Sequence, residues 1–247
     1  MSVRFNIIVP LYNAESWIAR NIKTIRAQKY DNYRVVVVND ASTDNSKEKI
    51  EEAIKDLYNF SLINKEENGG ALNSVNTGIN SLDLEDDDVI IVLDGDDWFA
   101  RPNVLEILNK TYSENNCLMT YGSYIEYPSG IRGKFSVKVP EDVVKNKTYR
   151  QSQWMTSHLR TFKYKLWKNI IKEDILDENG DIYRMAGDLP VMFPMLEMAE
   201  ERAYFIEDII HVYNRDNPLN EDKVNHELQL SIEAAVRGKK VYDRLED

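Results

Sequence analysis

Val89–Trp98 reads VIIVLDGDDW, an apolar run that stops at three carboxylates, Asp94, Asp96 and Asp97. Valine, isoleucine and leucine without polar alternation predict a strand covered on both faces, as in the centre of a parallel sheet. Ligands of open α/β sheets gather just beyond the carboxyl ends of such strands. Acids clustered there repel one another and call for a positive partner. A hard divalent cation takes oxygen ligands, and in phosphate chemistry one or two carboxylates hold it while substrate phosphates supply the rest. The stretch therefore predicts a metal-diphosphate site.

The chain around it alternates strand and helix patterns. Arg4–Val9 is a short apolar strand ended by Pro10, and Ala14–Gln28 repeats Trp17, Ile18, Ile22 and Ile25 at helical spacing after Asn13. Tyr33–Val38 is a second buried strand closed by the turn-rich NDASTDNS. A helix with Ile50, Ala53, Ile54 and Leu57 on one face follows, then a strand at Phe60–Ile63 and, past the NGG break, a helix over Ala71–Leu82. This succession predicts right-handed βαβ units, a Rossmann-like, mostly parallel central sheet flanked by helices. Pro102 suits the first turn of a helix running to about Asn115. Further on, Leu118–Tyr127 and Ile131–Val139 read as a strand pair about the PSG turn, and a mixed stretch rich in Trp, Tyr, Arg and Lys follows. Asp188–Met198 reads as a helix interrupted by Pro194, Ala203–Ile206 and Ile209–Tyr213 as two strands, and Asn225–Leu245 as an exposed terminal helix.

At 247 residues, 43% hydrophobic, the chain is long enough for a sizeable core in one α/β domain. A net charge of -11 argues against a broad surface for nucleic acid or an anionic membrane. The single Cys117, beside Leu118 and Met119, reads as a buried free thiol. MSVRF leads straight into a strand-like run with no basic region, long apolar segment or small-residue cleavage site, which predicts a cytoplasmic protein. No apolar stretch reaches the roughly 18 to 20 residues that span a bilayer, so any membrane-linked work would be done from the surface.

Three strand ends deliver polar residues: PLYNAE, NDASTD and DGDD. In a parallel sheet these ends share one edge, so the residues converge. A lone D-x-D arises often by chance and an Asp before a helix is usually a cap; convergence is what favours a site.

VPLYNAESWI, VVVNDASTDNS, NGGALNSVNTGI and VLDGDDW, in this order and spacing, resemble the nucleotide-binding half of family 2 glycosyltransferases of the GT-A fold, and SHLRTFKYKLW, AGDLPVMFPMLEMA and HVYNRDNPLN extend the resemblance across nearly the whole chain. It implies a single GT-A-like domain: a nucleotide-sugar half over 1–100, a small mixed acceptor and catalytic half over 101–218 and a helical extension over 219–247. It also implies a nucleotide-sugar donor, usually a uridine diphosphate (UDP) sugar, Mn²⁺ or Mg²⁺, and transfer with inversion at the anomeric carbon.

Carried onto this chain, the resemblance has Pro10, Tyr12, Asn13 and Glu15 line the base pocket and Asp40 accept a hydrogen bond from the base. Asn68, Gly69 and Gly70 form a loop near the nucleotide, where glycine permits close backbone approach. Many relatives carry arginine where this chain has Val75, followed by Asn76. Asp96 holds the metal, with Asp94 and Gly95 at ribose and metal-diphosphate, while Asp97 and Trp98 turn toward the acceptor. Inversion by single displacement needs a carboxylate base, and the resemblance points to Asp188, in a Gly187-Asp188 pair where the family commonly has Glu-Asp. From the residues alone Asp188 reads equally as base or helix N-cap; Asp174 and Asp181 are the fallback candidates. Arg160 suits a bidentate phosphate contact and His158 a hydrogen-bonding pocket role. Tyr213 and Arg215 fall in a Tyr-Arg-x-His pattern whose histidine is replaced by Asn217. Trp98 and Trp154 are candidates for a sugar-stacking platform.

The expected function is an inverting glycosyltransferase with a glycan, protein or small-molecule acceptor, a modified DNA base being disfavoured by the acidic balance. A nucleotidyltransferase is the alternative enzyme, although PLYNAES lacks the Gly-rich basic phosphate loop that class needs. A catalytically inactive nucleotide-sugar-binding protein is the alternative without turnover, made conceivable by Val75, Gly187 and Asn217.

Overall fold

The computed structural model describes residues 2–246, with the backbone alone for Glu221 and Asp222. β1 (Phe5–Leu11), α1 (Ile18–Arg26), β2 (Tyr33–Asn39), α2 (Ser46–Ile54), β3 (Phe60–Asn64), α3 (Ala71–Asn80) and β4 (Val89–Val92) form the first half. Their strands are parallel in the order β3-β2-β1-β4, with Ile7 opposite both Val35 and Ile91. Side chains alternate between faces with period two, and both faces are covered. Ile8, Val36, Val38 and Ile90 pack with Leu72, Val75 and Ile79 of α3. Ile7, Val9, Val37 and Ile91 pack with Ile18, Ile22 and Ile25 of α1 and Ile50 of α2. This two-sided burial is why these strands are written without polar alternation.

The second half adds β5 (Trp98–Phe99), α4 (Val104–Glu114), β6 (Met119–Tyr127), α5 (Glu141–Asn146), β7 (Arg160–Lys163), α6 (Tyr164–Trp167), α7 (Leu189–Ala199), β8 (Ala203–Asn214), α8 (Glu221–Val224) and α9 (His226–Arg237). The sheet continues from β4 as β7-β6-β8-β5, making eight strands. β7 runs antiparallel to β4 and β6, whereas β6 and β8 are parallel.

Four expectations are corrected. Ile131–Val139 makes only isolated bridges, Ile125 with Arg132 and Ser136 with Thr156; beyond Thr120, where its pairing with β7 ends, the β6 backbone holds this segment through Glu126 N–H to the Ile131 carbonyl at 2.8 Å and Gly133 N–H to the Tyr124 carbonyl at 2.9 Å. The two strands expected at 203–213 are one, with register shifts around Ser123 of its partner absorbing the break. α7 runs through Pro194 with all eleven residues buried; packing on every side offsets the one hydrogen bond that proline removes. The terminal helix ends at Arg237 and is not simply exposed. Ile232 and Val236 are buried, and the chain beyond returns so that Leu245 N–H bonds Met198 O at 3.0 Å.

Candidate active site

The carboxyl ends of β1, β2 and β4 open into one cavity of about 1700 Å³. Pro10, Tyr12, Asp40, Asn68, Gly70, Asp94, Gly95 and Asp96 line it from the first half. Trp154, His158, Arg160, Asp188, Tyr213 and Arg215 line it from the second. Tyr12 is solvent-accessible, as an aromatic face open to a ligand requires.

On the base side, the β1 and β2 loops are laced together. Asn13, in the left-handed region at φ 49°, accepts from Thr43 N–H at 2.8 Å, and Glu15 accepts from Asn45 Nδ2 at 2.7 Å. Neither lines the cavity. Their side chains bond the second loop. Asp40 is buried, and its carboxylate accepts from Gly69 N–H at 3.0 Å and Gly70 N–H at 2.8 Å while pairing with Lys65. It thus anchors the 65–70 loop over the pocket. Gly70 has φ 88°, and a Cβ there would meet the Arg184 carbonyl at 2.8 Å, so only glycine fits. Gly69 takes part through its backbone and does not itself line the cavity. Asn76 points away, accepting from Asn80 Nδ2 at 3.1 Å; Ala71, Leu72, Ser74 and Val75 are the α3 residues that reach the cavity.

The three acids diverge. Asp94 Oδ2 lies 3.5 Å from both His158 Nε2 and Arg160 Nη2. Burial opposes its charge, but His158 and Arg160 outweigh burial and hold the carboxyl at about 2. Asp96 accepts from Asn217 Nδ2 at 2.7 Å. Burial, then the negative charge of Asp97, push Asp96 up to about 8 in spite of that hydrogen bond. Asp97 is fully buried, paired with His211 Nε2 at 2.8 Å and accepting from Asn214 N–H at 2.8 Å. It faces the interior, contrary to the acceptor role expected. Trp98 is likewise buried, edge-on to Tyr127 at 5.2 Å with Arg20 over its ring. Pairing of Trp98 with Val212 of β8 keeps the ring out of the cavity, and His211 and Asn214 of the same strand hold Asp97 inward.

Asp94 and Asp96 are hard oxygen donors on one short turn. Protonation of Asp96 is favoured by negative neighbours, a pull that a divalent cation beside it would reverse, so these residues fit a hard metal ion. Among the described residues, Asp97, His158 and His211 form the one group of three side chains with metal-ligating atoms within 4.8 Å. Asp97 there already has both oxygens engaged inside the protein.

Opposite Asp94 stands Asp188, N-cap of α7, which accepts from Leu189 N–H at 3.0 Å through Oδ1. Its Oδ2 is 3.3 Å from Arg160 Nη1. Arg160 therefore bridges Asp94 and Asp188. His158 stacks between His211 at 4.8 Å and Tyr213 at 5.2 Å, and burial, with the charge of Arg160, lowers its pKa. Of the fallback acids, Asp174 is held by Tyr242 Oη at 2.6 Å and Asp181 is exposed; neither reaches the cavity. Trp154 lines the cavity while packing edge-on against Phe193 at 5.6 Å. Arg132 and Lys134, expected only as part of a strand, also line it, because that segment folds as a loop.

The family model for glycosyl transferase family 2 matches residues 6–173. The chain belongs to glycosyl transferase family 2. It is 27% identical over 192 residues to the glycosyltransferase GlyA of Streptococcus pneumoniae, covering 75% of this chain and 27% of that protein. The chain spans 27%, 41% and 36% of the length of the first curated relatives it matches. Among solved structures, S. aureus TarS residues 1–349 in complex with UDP-GlcNAc is 18% identical with a TM-score of 0.71, covering 95% of this chain and 65% of that one. The mannosyltransferase PcManGT of Pyrobaculum calidifontis, in complex with GDP-Man and Mn²⁺, is 18% identical with a TM-score of 0.65 over 98% of this chain and 66% of that one. Both share the fold described above. No helix among the described residues is long and apolar enough to cross a membrane.

Proposed function

We propose that this chain is a glycosyltransferase that moves a sugar with inversion from a UDP-sugar to an acceptor hydroxyl, within one domain whose first half takes the donor and whose second half takes the acceptor. The bridge of Arg160 between Asp94 and Asp188 carries the reading, because it puts a fixed cation between the acid of the donor turn and a carboxylate on the opposite wall. TarS, seen with UDP-GlcNAc, and PcManGT, seen with GDP-Man and Mn²⁺, support a nucleotide-sugar donor and a divalent ion.

Asp188 Oδ2 accepts the proton of the acceptor hydroxyl as its oxygen attacks the anomeric carbon. The bond from that carbon to the diphosphate oxygen breaks, and the diphosphate leaves with the electron pair. Arg160 offers charge-assisted hydrogen bonds to the departing phosphates. Asp94 and Asp96 would hold Mn²⁺ or Mg²⁺, which supplies Lewis-acid neutralisation of the leaving group. Tyr12 offers a face for the base, and Asp40 keeps the 65–70 loop closed beside it.

A panel of nucleotide sugars with Mn²⁺ or Mg²⁺ tests this by donor hydrolysis and thermal shift. A UDP-sugar should be hydrolysed and should raise the melting temperature; silence across the panel would discard the reading.

A further inference from the structure

The segment before Asp188 lies against the donor-side loop and is fastened to it at three points. Arg184 Nη2 donates to the Asn68 carbonyl. The Arg184 carbonyl stands where a Cβ on Gly70 would meet it at 2.8 Å, and a Cβ on Gly187 would meet Leu72 Cβ at 2.8 Å, so both contacts need glycine. Between them Ala186 is buried in the left-handed region at φ 50°, packed in one cluster with Leu72 and Leu189. A non-glycine residue stays in that region only where its surroundings hold it. The Ala186 carbonyl accepts from Leu189 N–H at 3.1 Å, and Asp188 Oδ1 accepts from the same amide at 3.0 Å. On its other side the loop is pinned by the Asp40 carboxylate, through Gly69 N–H and Gly70 N–H. Asn68, Gly70, Arg184, Gly187 and Asp188 all line the cavity. Arg184 is exposed, so its bond to Asn68 joins two parts of the cavity wall and adds little to the core.

We infer that Arg184 is a positioning residue that ties the Asp188 carboxylate to the 65–70 loop, so that closing this loop and placing Asp188 are one event. This rests on the reading of Asp188 as the base. Gly187 serves the same tie, because a side chain there would push Leu72 and the Asp188 backbone apart. An ordinary helix cap needs no such tie, since the bond from Leu189 N–H to Asp188 Oδ1 is complete at the start of α7.

Hydrogen exchange on the nucleotide-free protein tests the tie without reference to the donor. Arg184→Ala should speed exchange at Gly69, Gly70 and Leu189 together, by about threefold to tenfold, with exchange in β1 unchanged. Arg184→Lys, which can still donate to Asn68, should return part of the protection, and Gly187→Ala should reproduce the loss. Faster exchange at Gly70 with Leu189 at its wild-type rate, or the reverse, overturns the inference. Kinetics with a nucleotide sugar that the protein hydrolyses gives the second readout. Arg184→Ala should lower kcat by about tenfold or more and leave UDP affinity within about threefold. Weakened UDP binding with kcat unchanged would make Arg184 a plain donor contact and overturn the tie. If no nucleotide sugar is turned over, joint acceleration at Gly70 and Leu189 still supports the tie and counts against the transfer reading alone.

Discussion

Arg160 Nη1 lies 3.3 Å from Asp188 Oδ2, while the other oxygen of Asp188 caps α7 through Leu189 N–H. The two oxygens of one carboxylate therefore divide between the helix cap and the Arg160 contact, and the proposed mechanism gives the second of them the chemical task. Asp188→Asn separates them, because asparagine caps a helix about as well as aspartate but accepts no proton from an alcohol. Transfer should fall by about 10² to 10⁴-fold with UDP binding and melting temperature retained. Asp188→Ala should lose transfer and also about 1 kcal/mol of stability. Unchanged turnover in the asparagine variant would reduce Asp188 to a cap.

Asp40 predicts a different kind of loss. Its carboxylate holds Gly69 N–H, Gly70 N–H and Lys65 together in a buried place. Asp40→Asn leaves the Lys65 ammonium without its carboxylate, with Asn73 Oδ1 at 2.7 Å left to accept from it, and should destabilise the protein by about 2 kcal/mol, lowering the melting temperature by about 4 to 8 °C. Hydrogen exchange at the Gly69 and Gly70 amides should accelerate more than exchange in β1. Uniform acceleration would show that Asp40 supports the fold at large rather than this loop.

These sites show where sequence reasoning reaches and where it stops. The first half was legible because β1, β2 and β4 are buried on both faces and so are written as unbroken apolar runs. β7 was not: Arg160–Lys163 spans four residues with charged ends, and only its place between β4 and β6 makes it a strand. Ile131–Val139 meets β6 only around Arg132 and then bridges from Ser136 to Thr156, a partner distant in sequence, so its pattern does not continue as a hairpin strand. The DGDD turn announced a site, but the inward rotation of Asp97 depends on His211 and Asn214, 114 and 117 residues away. Asp188 opposite Arg160 was reached through the resemblance; its residues alone fitted a cap equally well.

The C-terminal return is secured by a buried pair. Arg150 Nε and Nη2 meet Glu197 Oε1 and Oε2 at 2.6 and 2.9 Å, Arg150 Nη1 donates to the Val236 carbonyl at 2.7 Å, and Tyr242 N–H donates to Glu197 at 3.0 Å. Glu197→Ala strands a buried guanidinium and should cost about 3 to 5 kcal/mol. Replacing both partners, as Arg150→Met with Glu197→Leu, should recover most of that by denaturant unfolding. A double variant as unstable as the single would place the cost in lost packing instead of lost charge compensation.

Cys117 gives a pH prediction with a definite sign. It is buried with Sγ 3.3 Å from the Met119 carbonyl, and burial pushes the thiol up to about 12. The folded state thus favours the neutral thiol. For a group raised on folding, that contribution is complete below the unfolded pKa of about 8.5 and is lost as pH rises toward the folded value. Stability should decline between about pH 8.5 and 12, and Cys117→Ser should flatten part of that slope. Thiolate is the reactive form, so at pH 8 only about 10⁻⁴ of the folded thiol is ionised. Iodoacetamide should leave the native protein unlabelled over hours and modify it promptly in guanidinium. Rapid labelling of the native state would mean that the β6 edge opens far more often than its packing implies.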